Sequence, residues 1–540
     1  MKKILLSIII LSSLQAFPQA VERSYTIEKR YLNFPVKENR ERIRMEMTLD
    51  GKPLTYAVIR LAEGEPDYWV FKDVSAYMGK TLKILFAEEV DGIAMIRQTD
   101  GFVGQENIYR EINRPQVHFT TKRGWNNDPN GLVWHDGEYH LFYQHNPYEA
   151  NWQNMHWGHA VSKDLVHWEE LNDALYPDDL GTMFAGSAVI DKDNTAGWGK
   201  NAMVAAYTAA GKVATQCIAY STDNGRTFTK YEGNPVINTR KTPDGTAARD
   251  PKVFWYDKGK HWVMALYEDN FISIYSSDNL KDWKYESKTL GFFECPELFE
   301  LPVDGNKKKT KWVMYGASGT YMIGTFNGKK FTPEAGKYFY SRGSQYAAQI
   351  FNNSPDGRKI QIGWGRITHK DMPFKSLMLF PMEMTLRTTP EGIRLYCNPV
   401  SEIEKLHGKS YTWDNITMPE ANQKLTEIKG EYLHVKFDIE LVRRFRYTLK
   451  FRGNEVLNFD GNWNNYNGSP YSGDVLSPFR HKVELIIDKT SFEAYIGEGK
   501  LFLAEQLNEA STIDGLEFTG DMDMKIHHLE VHELKSIWGN

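Results

Sequence analysis

The sequence predicts an all-β protein with a small N-terminal β domain, a β-propeller and a C-terminal β-sandwich. Three observations support this fold class. Apolar and polar residues alternate along many short segments, a turn motif recurs in the middle of the chain, and no long segment has the 3.6-residue period of an amphipathic helix. Aromatic residues make up 13% of the chain, which also favours β-structure.

The composition is that of a folded globular protein. Hydrophobic residues account for 41% and charged residues for 25% of the 540 positions, a length that suits roughly two to four domains. The 65 basic and 70 acidic residues give a formal net charge of −5, which excludes a strongly basic nucleic-acid binder. Three cysteines are too few for a disulfide framework. The sequence indicates no oligomeric state.

The first 20 residues have the pattern of a secretory signal peptide. Lys2 and Lys3 precede an apolar run from Ile4 to Leu11, and Ala16 or Ala20 offers a small residue for cleavage. We therefore predict a signal peptide over residues 1–20 and export to the periplasm or the medium. An uncleaved anchor is the alternative, although the run is short for a bilayer. No later segment is long and apolar enough to span a membrane.

Strands of alternating pattern flank the central region on both sides. Residues 21–112 are predicted to form the N-terminal β domain, in which apolar residues alternate from Ile43 to Leu49 and lead into a turn at Asp50-Gly51. Residues 399–540 are predicted to form the β-sandwich, with the same alternation from Leu433 to Leu441 and from Val483 to Ile487.

The central region, residues 113–398, repeats a turn motif in which a serine, an acidic or amide residue and an aromatic residue follow one another. The motif occurs at Ser162-Lys-Asp164 with Trp168, at Ser221-Thr-Asp223 with Phe228, at Ser276-Ser-Asp278 with Trp283, and more weakly from Asn327 to Phe331. An interval of about 50 to 60 residues with short strands is typical of propeller blades. Unrelated β-turns are the alternative, because Ser-x-Asp is common turn chemistry.

The sequence offers no cofactor or metal motif. It lacks a phosphate-binding glycine loop, an H-E-x-x-H pattern and a C-x-x-C pattern. His528 and His532 lie four residues apart in a strand-like segment. Four residues of a strand span about 13 Å, which is too far for two ligands of one ion. We therefore predict neither a cofactor nor a metal ion.

Three acidic residues lie beside prolines in polar or aromatic surroundings. Asp128 belongs to the segment Trp125-Asn-Asn-Asp-Pro-Asn-Gly131, which predicts a shaped loop rather than a regular strand. Asp250 follows Arg249 and precedes a proline, and Glu294 lies in Phe293-Glu-Cys-Pro-Glu297. A following proline favours extended backbone for the residue before it. On successive blades of a propeller, these acids are expected to meet in one axial pocket.

A pocket with two carboxyl groups and abundant aromatic rings favours glycoside cleavage. One carboxyl group acts at the anomeric carbon while the other protonates the leaving oxygen. Phe292, Phe293 and Cys295 predict weakly polar surroundings for Glu294. The spacing of the acids alone does not assign their roles.

The three motifs resemble the signature motifs of glycoside hydrolase family 32, the invertases, inulinases and levanases that cleave β-fructofuranosides. The resemblance covers about residues 114–540 and implies a five-bladed propeller followed by a β-sandwich. It also implies a retaining mechanism through a fructosyl-enzyme intermediate, a fructose-containing oligo- or polysaccharide as substrate, and no cofactor. By the same resemblance, Asp128 is the nucleophile, Glu294 the acid/base and Asp250 the transition-state stabiliser, with Arg249 beside it.

Further residues resemble the fructose pocket of the family. These expected substrate-binding residues are Asn127, Gln144, Trp152, Phe184 and Trp364, together with Arg249. The chain departs from the family pattern at Asn126, where methionine is usual, and at Ala185, where serine is usual. The second departure removes a hydroxyl group near the expected sugar.

Several alternatives stay open at this point. Ser221-Thr-Asp223-Asn-Gly225 also matches a sialidase turn, an inverting arabinan-cleaving propeller also uses three acids, and a non-catalytic glycan-binding propeller belongs to another class. Within the family, β-2,6 and β-2,1 linkages, sucrose, and exo or endo cleavage all fit the motifs. Exo action on levan or inulin is the favoured prediction.

Overall fold

A computed structural model of the chain describes residues 20–238, 248–440, 446–470, 480–507, 515–521 and 523–539. Nearly all of the predicted signal peptide lies outside the described residues. The chain divides into two compact units, Met1–Val103 and Gly104–Asn540. The domain limits at residues 112 and 398 stay predictions.

The first unit consists of two antiparallel sheets. Its strands are β1 (Val21–Thr26), β2 (Tyr31–Val36), β3 (Ile43–Leu49), β4 (Lys52–Ile59), β5 (Tyr68–Asp73), β6 (Thr81–Phe86) and β7 (Arg97–Thr99). The strand orders are β1-β6-β3-β4 and β5-β2-β7. Asp50 and Gly51 join β3 to β4 with φ of 47° and 78°, the left-handed pair that a tight two-residue hairpin requires. The predicted strand and turn are confirmed here.

The second unit begins with a long series of antiparallel strands. These are β8 (Gly124–His135), β9 (Glu138–Asn146), β10 (His156–Ser162), β11 (Glu169–Glu170), β12 (Thr182–Asp191), β13 (Ala202–Ala210), β14 (Ala214–Ser221), β15 (Thr229–Lys230), β16 (Ile237–Asn238), β17 (Arg249–Tyr256), β18 (His261–Glu268), β19 (Phe271–Ser277), β20 (Lys284–Leu290), β21 (Glu297–Val303), β22 (Asn306–Tyr315), β23 (Thr320–Phe326) and β24 (Phe331–Phe339). The series continues with β25 (Ser341–Gly343), β26 (Gln345–Ile350), β27 (Ile360–Gly365), β28 (Phe374–Lys375), β29 (Leu377–Met378), β30 (Met382–Thr389) and β31 (Gly392–Pro399).

These strands pair mainly with their neighbours along the chain. The described residues form the sheets β11-β10-β9-β8-β28, β12-β13-β14-β15 with β16 beside β14, and β17-β18-β19-β20. Nine of the remaining strands join in one sheet that contains the order β24-β23-β22-β21-β30-β27-β26, and β25 pairs with a strand of the C-terminal region. The all-β prediction is confirmed. Five separate blades stay a prediction, because the last strands of this region share one sheet.

The first and third of the repeated turns share one hydrogen-bond pattern, with one correction to the sequence alignment. Asp164 Oδ1 accepts bonds from the amides of Val166 and His167. In the third repeat this position is taken by Asn279, whose Oδ1 accepts from two following amides, rather than by the predicted Asp278. The indole nitrogens of Trp168 and Trp283 each donate to the carbonyl three residues earlier. These two turns are thus alike, whereas Asp223 of the second turn accepts from the amide of Thr227, four residues later. The equivalence of all the repeats stays a prediction.

The C-terminal strands form two sheets with one apolar core between them. They are β32 (His407–Thr417), β33 (Leu433–Glu440), β34 (Arg446–Phe451), β35 (Asn454–Asp460), β36 (Asn465–Tyr466), β37 (Ser469–Pro470), β38 (Arg480–Ile487), β39 (Ser491–Ile496), β40 (Leu501–Gln506), β41 (Leu516–Gly520) and β42 (Lys525–Leu534). The orders are β25-β40-β39-β38-β33-β42-β32 and β37-β36-β35-β34-β41. Phe437 of the first sheet packs edge-on against Phe518 of the second, as a β-sandwich requires.

Helices are few in the described part of the chain. They are α1 (Gly92–Met95), α2 (Met418–Leu425) and 3-10 turns at Ser75–Tyr77, Gln105–Asn107 and Ser401–Leu406. A capping box formed by Thr417 and Glu420 starts α2. None of these helices has the length and apolar character needed to cross a bilayer.

Candidate active site

The segment that carries Asp128 lies within strand β8, although the sequence predicted a loop. The pairing of β8 with β9 is irregular between Asn126 and Pro129 and again beyond Asn130. The turn-forming residues of the motif therefore produce bulges in a strand instead of a loop. Asn127 Nδ2 donates to Asp128 Oδ1 at 3.1 Å, and Trp125 Nε1 donates to Asn127 Oδ1 at 2.8 Å. Asp128 is therefore oriented by its own strand.

Asp250 occupies the second position of β17 in a left-handed conformation. Its φ is 64°, which corrects the extended backbone predicted from the proline that follows. The strain is offset by hydrogen bonds, because the Asp250 amide donates to Thr208 Oγ1 at 3.1 Å and its Oδ2 accepts from the Cys295 amide at 3.1 Å. Left-handed backbone in a non-glycine residue is uncommon and concentrates at functional sites.

Glu294 lies just before β21, and its carboxyl group is bonded to polar side chains. This corrects the weakly polar surroundings predicted for it. Its Oε2 accepts from Arg249 Nε at 2.9 Å and Nη2 at 2.6 Å. Its Oε1 accepts from the phenol of Tyr346. The Arg249 guanidinium is also flanked by the rings of Tyr267 and Phe293, at 4.9 and 5.5 Å from their centroids. The predicted aromatic flank therefore contacts Arg249.

Cys295 brings the three acids into one cluster. The thiol Sγ lies 3.7 Å from Asp128 Oδ2 and 3.5 Å from Asp250 Oδ2. Glu294 and Cys295 both have positive φ, at 32° and 44°, which turns the chain so that the Cys295 amide reaches Asp250. Arg249 Nε lies 3.8 Å from Asp250 Oδ2 as well as in contact with Glu294. Asp250 thus lies between the two others: it shares the Cys295 thiol with Asp128 and Arg249 with Glu294.

The cluster favours protonated carboxyl groups. Burial, with a smaller contribution from Glu294, raises the pKa of Asp128 to about 6 even though part of the residue faces the open site. Burial, Asp128 and Glu294 raise the pKa of Asp250 to about 7 against the opposing effect of Arg249. Burial also raises the pKa of the Cys295 thiol well above its usual value. The cluster therefore retains a proton near neutral pH.

Aromatic rings surround the acids. Trp364 packs edge-on against Trp125 and Tyr346, with centroids 5.9 and 6.2 Å apart. Trp152, which is 51% exposed, packs edge-on against Phe184 at 6.1 Å. Exposed aromatic faces beside polar groups suit the apolar faces of sugar rings.

Gln144 links the two groups of rings. It lies on β9 between the residues that pair with Asn126 and Pro129, and so faces the bulge that holds Asp128. Its Nε2 donates to the carbonyl of Met183, next to Phe184. Asn127 and Arg249 thus contact the acids directly, and Trp364 packs on Trp125 and Tyr346 beside them. The roles of Trp152, Phe184 and Gln144 stay predictions.

The two departures from the family pattern have different consequences. Asn126 is buried, and with its amide nitrogen turned toward β28 it donates to the carbonyls of Lys375 and Ser376 at 3.0 Å. It therefore ties β8 to a neighbouring segment. Ala185 is buried at the irregularity between Phe184 and Gly186 in β12, where it supplies no hydroxyl group.

Two residues of the cluster were not among the sequence-predicted site residues. Cys295 lies inside the third motif, and its position between Glu294 and a proline was the available signal. Tyr346 lies 52 residues after Glu294 on β26, and no local pattern marks it. Tyr346 could be identified as a site residue only from the folded structure.

One cavity of the described residues is not lined by these acids. It has a volume of about 490 Å³ and contains none of the predicted site residues, its lining including Lys252, Trp255 and Glu297. The convergence of ionisable groups, rather than cavity size, therefore locates the chemistry.

Comparison with known proteins matches this arrangement to a family. A family model described as the N-terminal domain of the glycosyl hydrolases family 32 matches residues 118–399. The levanase of Bacillus subtilis (strain 168) is 38% identical over 491 residues, which covers 80% of this chain and 72% of that protein. The extracellular exo-inulinase of Aspergillus niger is 31% identical over 520 residues, which covers 80% and 96%.

A solved structure has a similar fold. The crystal structure of exo-inulinase from Aspergillus awamori superposes with a TM-score of 0.69 at 28% identity. The superposition covers 80% of this chain and all of the other.

Proposed function

The chain belongs to glycoside hydrolase family 32 and is a β-fructosidase, and from this premise we propose that it releases terminal fructose from levan, inulin or fructo-oligosaccharides. The observation that carries the proposal is the clustering of the three acids, in which the Cys295 thiol lies near Asp128 and Asp250 and Arg249 binds Glu294. A levanase and an exo-inulinase among the similar proteins support the substrate class.

The first half-reaction transfers fructose to the enzyme. The ionised Asp128 carboxylate attacks the anomeric carbon as the glycosidic C–O bond breaks, and Glu294 transfers its proton to the leaving oxygen. The products are a fructosyl ester on Asp128 and the shortened chain with a free hydroxyl group. Glu294 is then ionised, in contact with Arg249 and Tyr346.

The second half-reaction releases fructose. Glu294 takes a proton from a water molecule while the water oxygen bonds to the anomeric carbon, and the ester bond to Asp128 breaks. Asp128 leaves as a carboxylate and Glu294 regains its proton, so the enzyme returns to its starting state. Two inversions at one carbon give net retention.

Asp250 is proposed to stabilise the transition state without forming a covalent bond, with Arg249 beside it as a positioning residue. Positive charge develops on the sugar ring as the bond breaks, and carboxylates in a site of low polarity stabilise that charge. Asp250 also binds fructose hydroxyl groups, and Arg249 keeps Asp250 and Glu294 at fixed positions.

The remaining site residues are proposed to hold the terminal fructose. Asn127 and Gln144 supply amide groups, and Trp152, Phe184 and Trp364 supply aromatic surfaces. We propose that the sheets between residues 113 and 398 form the five blades of a propeller around this pocket, followed by the β-sandwich.

Incubation with levan, inulin and sucrose in separate reactions tests the substrate and the mode of cleavage. Chromatography of early time points is expected to reveal fructose as the sole small product from at least one polymer. A ladder of oligosaccharides would instead identify an endo-acting enzyme, and cleavage of sucrose alone would identify an invertase.

Substitution of the acids tests the catalytic assignment. Asp128→Asn and Glu294→Gln are expected to lower kcat by about a thousandfold or more while the fold is retained, since each removes a group that acts at the reacting bond. Asp278→Asn, at an exposed acid outside the cluster, is the matched control and is expected to keep wild-type activity. Circular dichroism of all three variants checks their folding.

The same variants separate catalysis from simple binding. If the protein were a non-catalytic glycan-binding propeller, the wild type would release no sugar. Its variants with a replaced acid would keep the affinity of the wild type for the glycan. Family membership leaves no support for the sialidase interpretation. The inverting mechanism of arabinan-cleaving propellers is distinguished by the product's anomeric configuration.

We also propose that the protein is exported. The predicted signal peptide over residues 1–20 and the word extracellular in the names of similar exo-inulinases support this location. Fractionation of the producing cells, with N-terminal sequencing of the mature protein, tests both the location and the cleavage position.

A further inference from the structure

Three histidines converge on the seven-stranded sheet of the C-terminal region, away from the fructosidase site. His434 on β33 and His532 on β42 are directly opposite each other in the register of neighbouring strands, and His407 begins β32 on the other side of β42. Leu433 and Val435 pack in the sandwich core, so His434 between them points to the opposite face of the sheet.

The ring nitrogens lie close enough together to share one ligand. One nitrogen from each of His407, His434 and His532 lies within 4.8 Å of the other two. Nε2 of His407 is 2.9 Å from Nδ1 of His434, and the rings of His407 and His532 are stacked with centroids 3.7 Å apart. Three imidazoles at such distances are a recognisable metal-binding arrangement.

Glu484 orients one of these ligands. Its Oε1 lies 2.8 Å from Nε2 of His434, so a proton on Nε2 leaves Nδ1 unprotonated with its lone pair directed at the other histidines. A carboxylate that accepts from the outer nitrogen of a histidine is the usual support of a metal ligand.

His532 has a nitrogen without a hydrogen bond among the described residues. Its Nδ1 lies 2.7 Å from Ser410 Oγ, but its buried Nε2 makes no hydrogen bond. Glu530 Oε1 is 2.9 Å from this nitrogen, outside the direction of a ring N–H bond. A buried nitrogen in this state, beside a carboxylate, gains a partner when a cation binds.

We propose that His407, His434 and His532 bind one divalent transition-metal ion, with zinc as the best match. Imidazole nitrogens favour zinc, copper and nickel over magnesium and calcium. Zinc at about 2.0 Å from each nitrogen requires nitrogens roughly 3.3 Å apart, so the ligand nitrogens, now within 4.8 Å of one another, move closer together when the ion binds. Glu530 or a water molecule completes a tetrahedral site, and the partly exposed His407 leaves a path for the ion.

This site differs from the pair considered in the sequence. His528 shares β42 with His532, but its Nδ1 lies 2.8 Å from Asp414 Oδ1, and it contributes nothing to the cluster. That His528 and His532 do not share an ion stays a prediction. The partners of His532 instead come from two other strands, which the spacing in the sequence did not indicate.

A bound ion would join β32 to β33 through β42. Because an ion that binds the folded state alone raises the stability of that state, the expected consequence is a more stable C-terminal region. The proposal does not depend on the fructosidase assignment, and the two fail separately.

The test uses the full-length, tag-free protein after treatment with a chelator. Titration calorimetry with zinc chloride is expected to give one bound ion per chain and a higher thermal midpoint. His434→Gln and His532→Gln are expected to weaken zinc binding at least tenfold, and Glu484→Gln about tenfold, as loss of ligands and supporting carboxylates does elsewhere. His528→Gln is the matched control on the same strand and is expected to bind zinc as the wild type does.

A second measurement on the unmutated protein covers the case in which a variant fails to fold. Cobalt(II) is expected to give the intense visible absorption of a tetrahedral nitrogen-ligated ion, which zinc then abolishes. The proposal is overturned when the wild type shows neither saturable zinc binding nor this cobalt spectrum. It is equally overturned when folded His434→Gln and His532→Gln bind zinc as tightly as His528→Gln.

Discussion

Asp128 is surrounded by groups that favour its protonated form, and this has a direct effect on catalysis. Burial and the nearby Glu294 raise its pKa to about 6, yet a nucleophile must be ionised. We predict that kcat/KM falls about tenfold per pH unit below pH 6, because the ionised fraction of Asp128 falls in that proportion. Initial rates on a soluble fructo-oligosaccharide between pH 4 and 8 measure this. An acid limb below pH 4.5 would contradict the expected pKa.

The same raised pKa predicts a stability cost. A carboxyl group whose pKa is higher in the folded state stabilises that state fully below its unfolded value near 4, and this contribution is lost as pH rises through 6. Asp128→Asn is therefore expected to unfold a few degrees above the wild type at pH 7.5 and at nearly the same temperature at pH 4. Thermal denaturation at both pH values, with Asp278→Asn as control, tests the sign. An Asp128→Asn variant less stable at pH 7.5 would oppose this account.

Tyr346 is expected to act as a positioning residue for Glu294. Its phenol donates to Glu294 Oε1 while Arg249 binds the other oxygen. Tyr346→Phe keeps the ring that packs on Trp364 and removes the hydrogen bond alone, so we expect kcat to fall about tenfold with little change in KM. A pH profile measured alongside distinguishes this from a packing defect, which would lower the thermal midpoint without moving the profile.

At the scale of single elements, the bulged strand β8 depends on glycine at one crowded position. Gly131 has φ of 55°, and a Cβ atom there would lie 2.7 Å from Phe142 Cδ2 and 3.0 Å from Trp157 Cζ3. Gly137, in the following turn, has φ of 83° and no heavy atom within 4 Å of such a Cβ. Both changes to alanine cost about 1 kcal/mol of left-handed strain, but Gly131→Ala also disturbs the ring packing behind Asp128.

We therefore expect Gly131→Ala to lose most of its activity and several degrees of thermal midpoint, and Gly137→Ala to stay close to the wild type. Urea denaturation and initial rates of the pair measure the difference. Equal behaviour of the two variants would mean that the packing behind β8 does not support the site.

The secondary-structure elements also show which features of the fold local sequence patterns can predict. The hairpin at Asp50-Gly51 and the capped turn at Asp164 were predictable, because the residues that determine each turn lie within it. The left-handed Asp250 and the position of Tyr346 were not, because they depend on hydrogen bonds with residues far away in sequence. The motif around Asp128 predicts irregular backbone, and the structure has bulges in strand β8 there instead of the predicted loop. Three motifs that occur together predict the acids as one group. The structure places Asp128 and Asp250 near the Cys295 thiol and Glu294 on Arg249, and their catalytic roles stay a proposal.

At the scale of the whole second unit, a buried histidine connects the segment before β8 to the sandwich sheet. His118 Nδ1 lies 2.8 Å from Asp488 Oδ2, and its Nε2 lies 3.0 Å from Glu493 Oε1. Burial alone would lower its pKa, but the hydrogen bonds to these carboxylates outweigh burial and raise the pKa of His118 to about 9. The charged imidazolium therefore stabilises this junction at neutral pH.

A histidine with a raised pKa stabilises the folded state fully below its unfolded value of about 6.5, and this contribution is lost as pH rises through 9. The thermal midpoint of the wild type is thus expected to decrease between pH 7 and pH 9.5. His118→Gln should unfold at a lower temperature throughout, because two buried carboxylates lose their counter-charge, and should vary less over the same interval. A variant with the same slope as the wild type would place the pH dependence elsewhere.

The central claim is that Asp128 and Glu294 act together on one fructose ring in a double displacement. The most direct measurement is cleavage of a fructo-oligosaccharide in water containing methanol, followed by NMR of the methyl fructoside, whose anomeric configuration does not interconvert in solution. The account predicts methyl β-fructofuranoside, produced by the wild type and absent with Asp128→Asn. The α-anomer as the first product, or unchanged methyl β-fructofuranoside formation by Asp128→Asn, would contradict it.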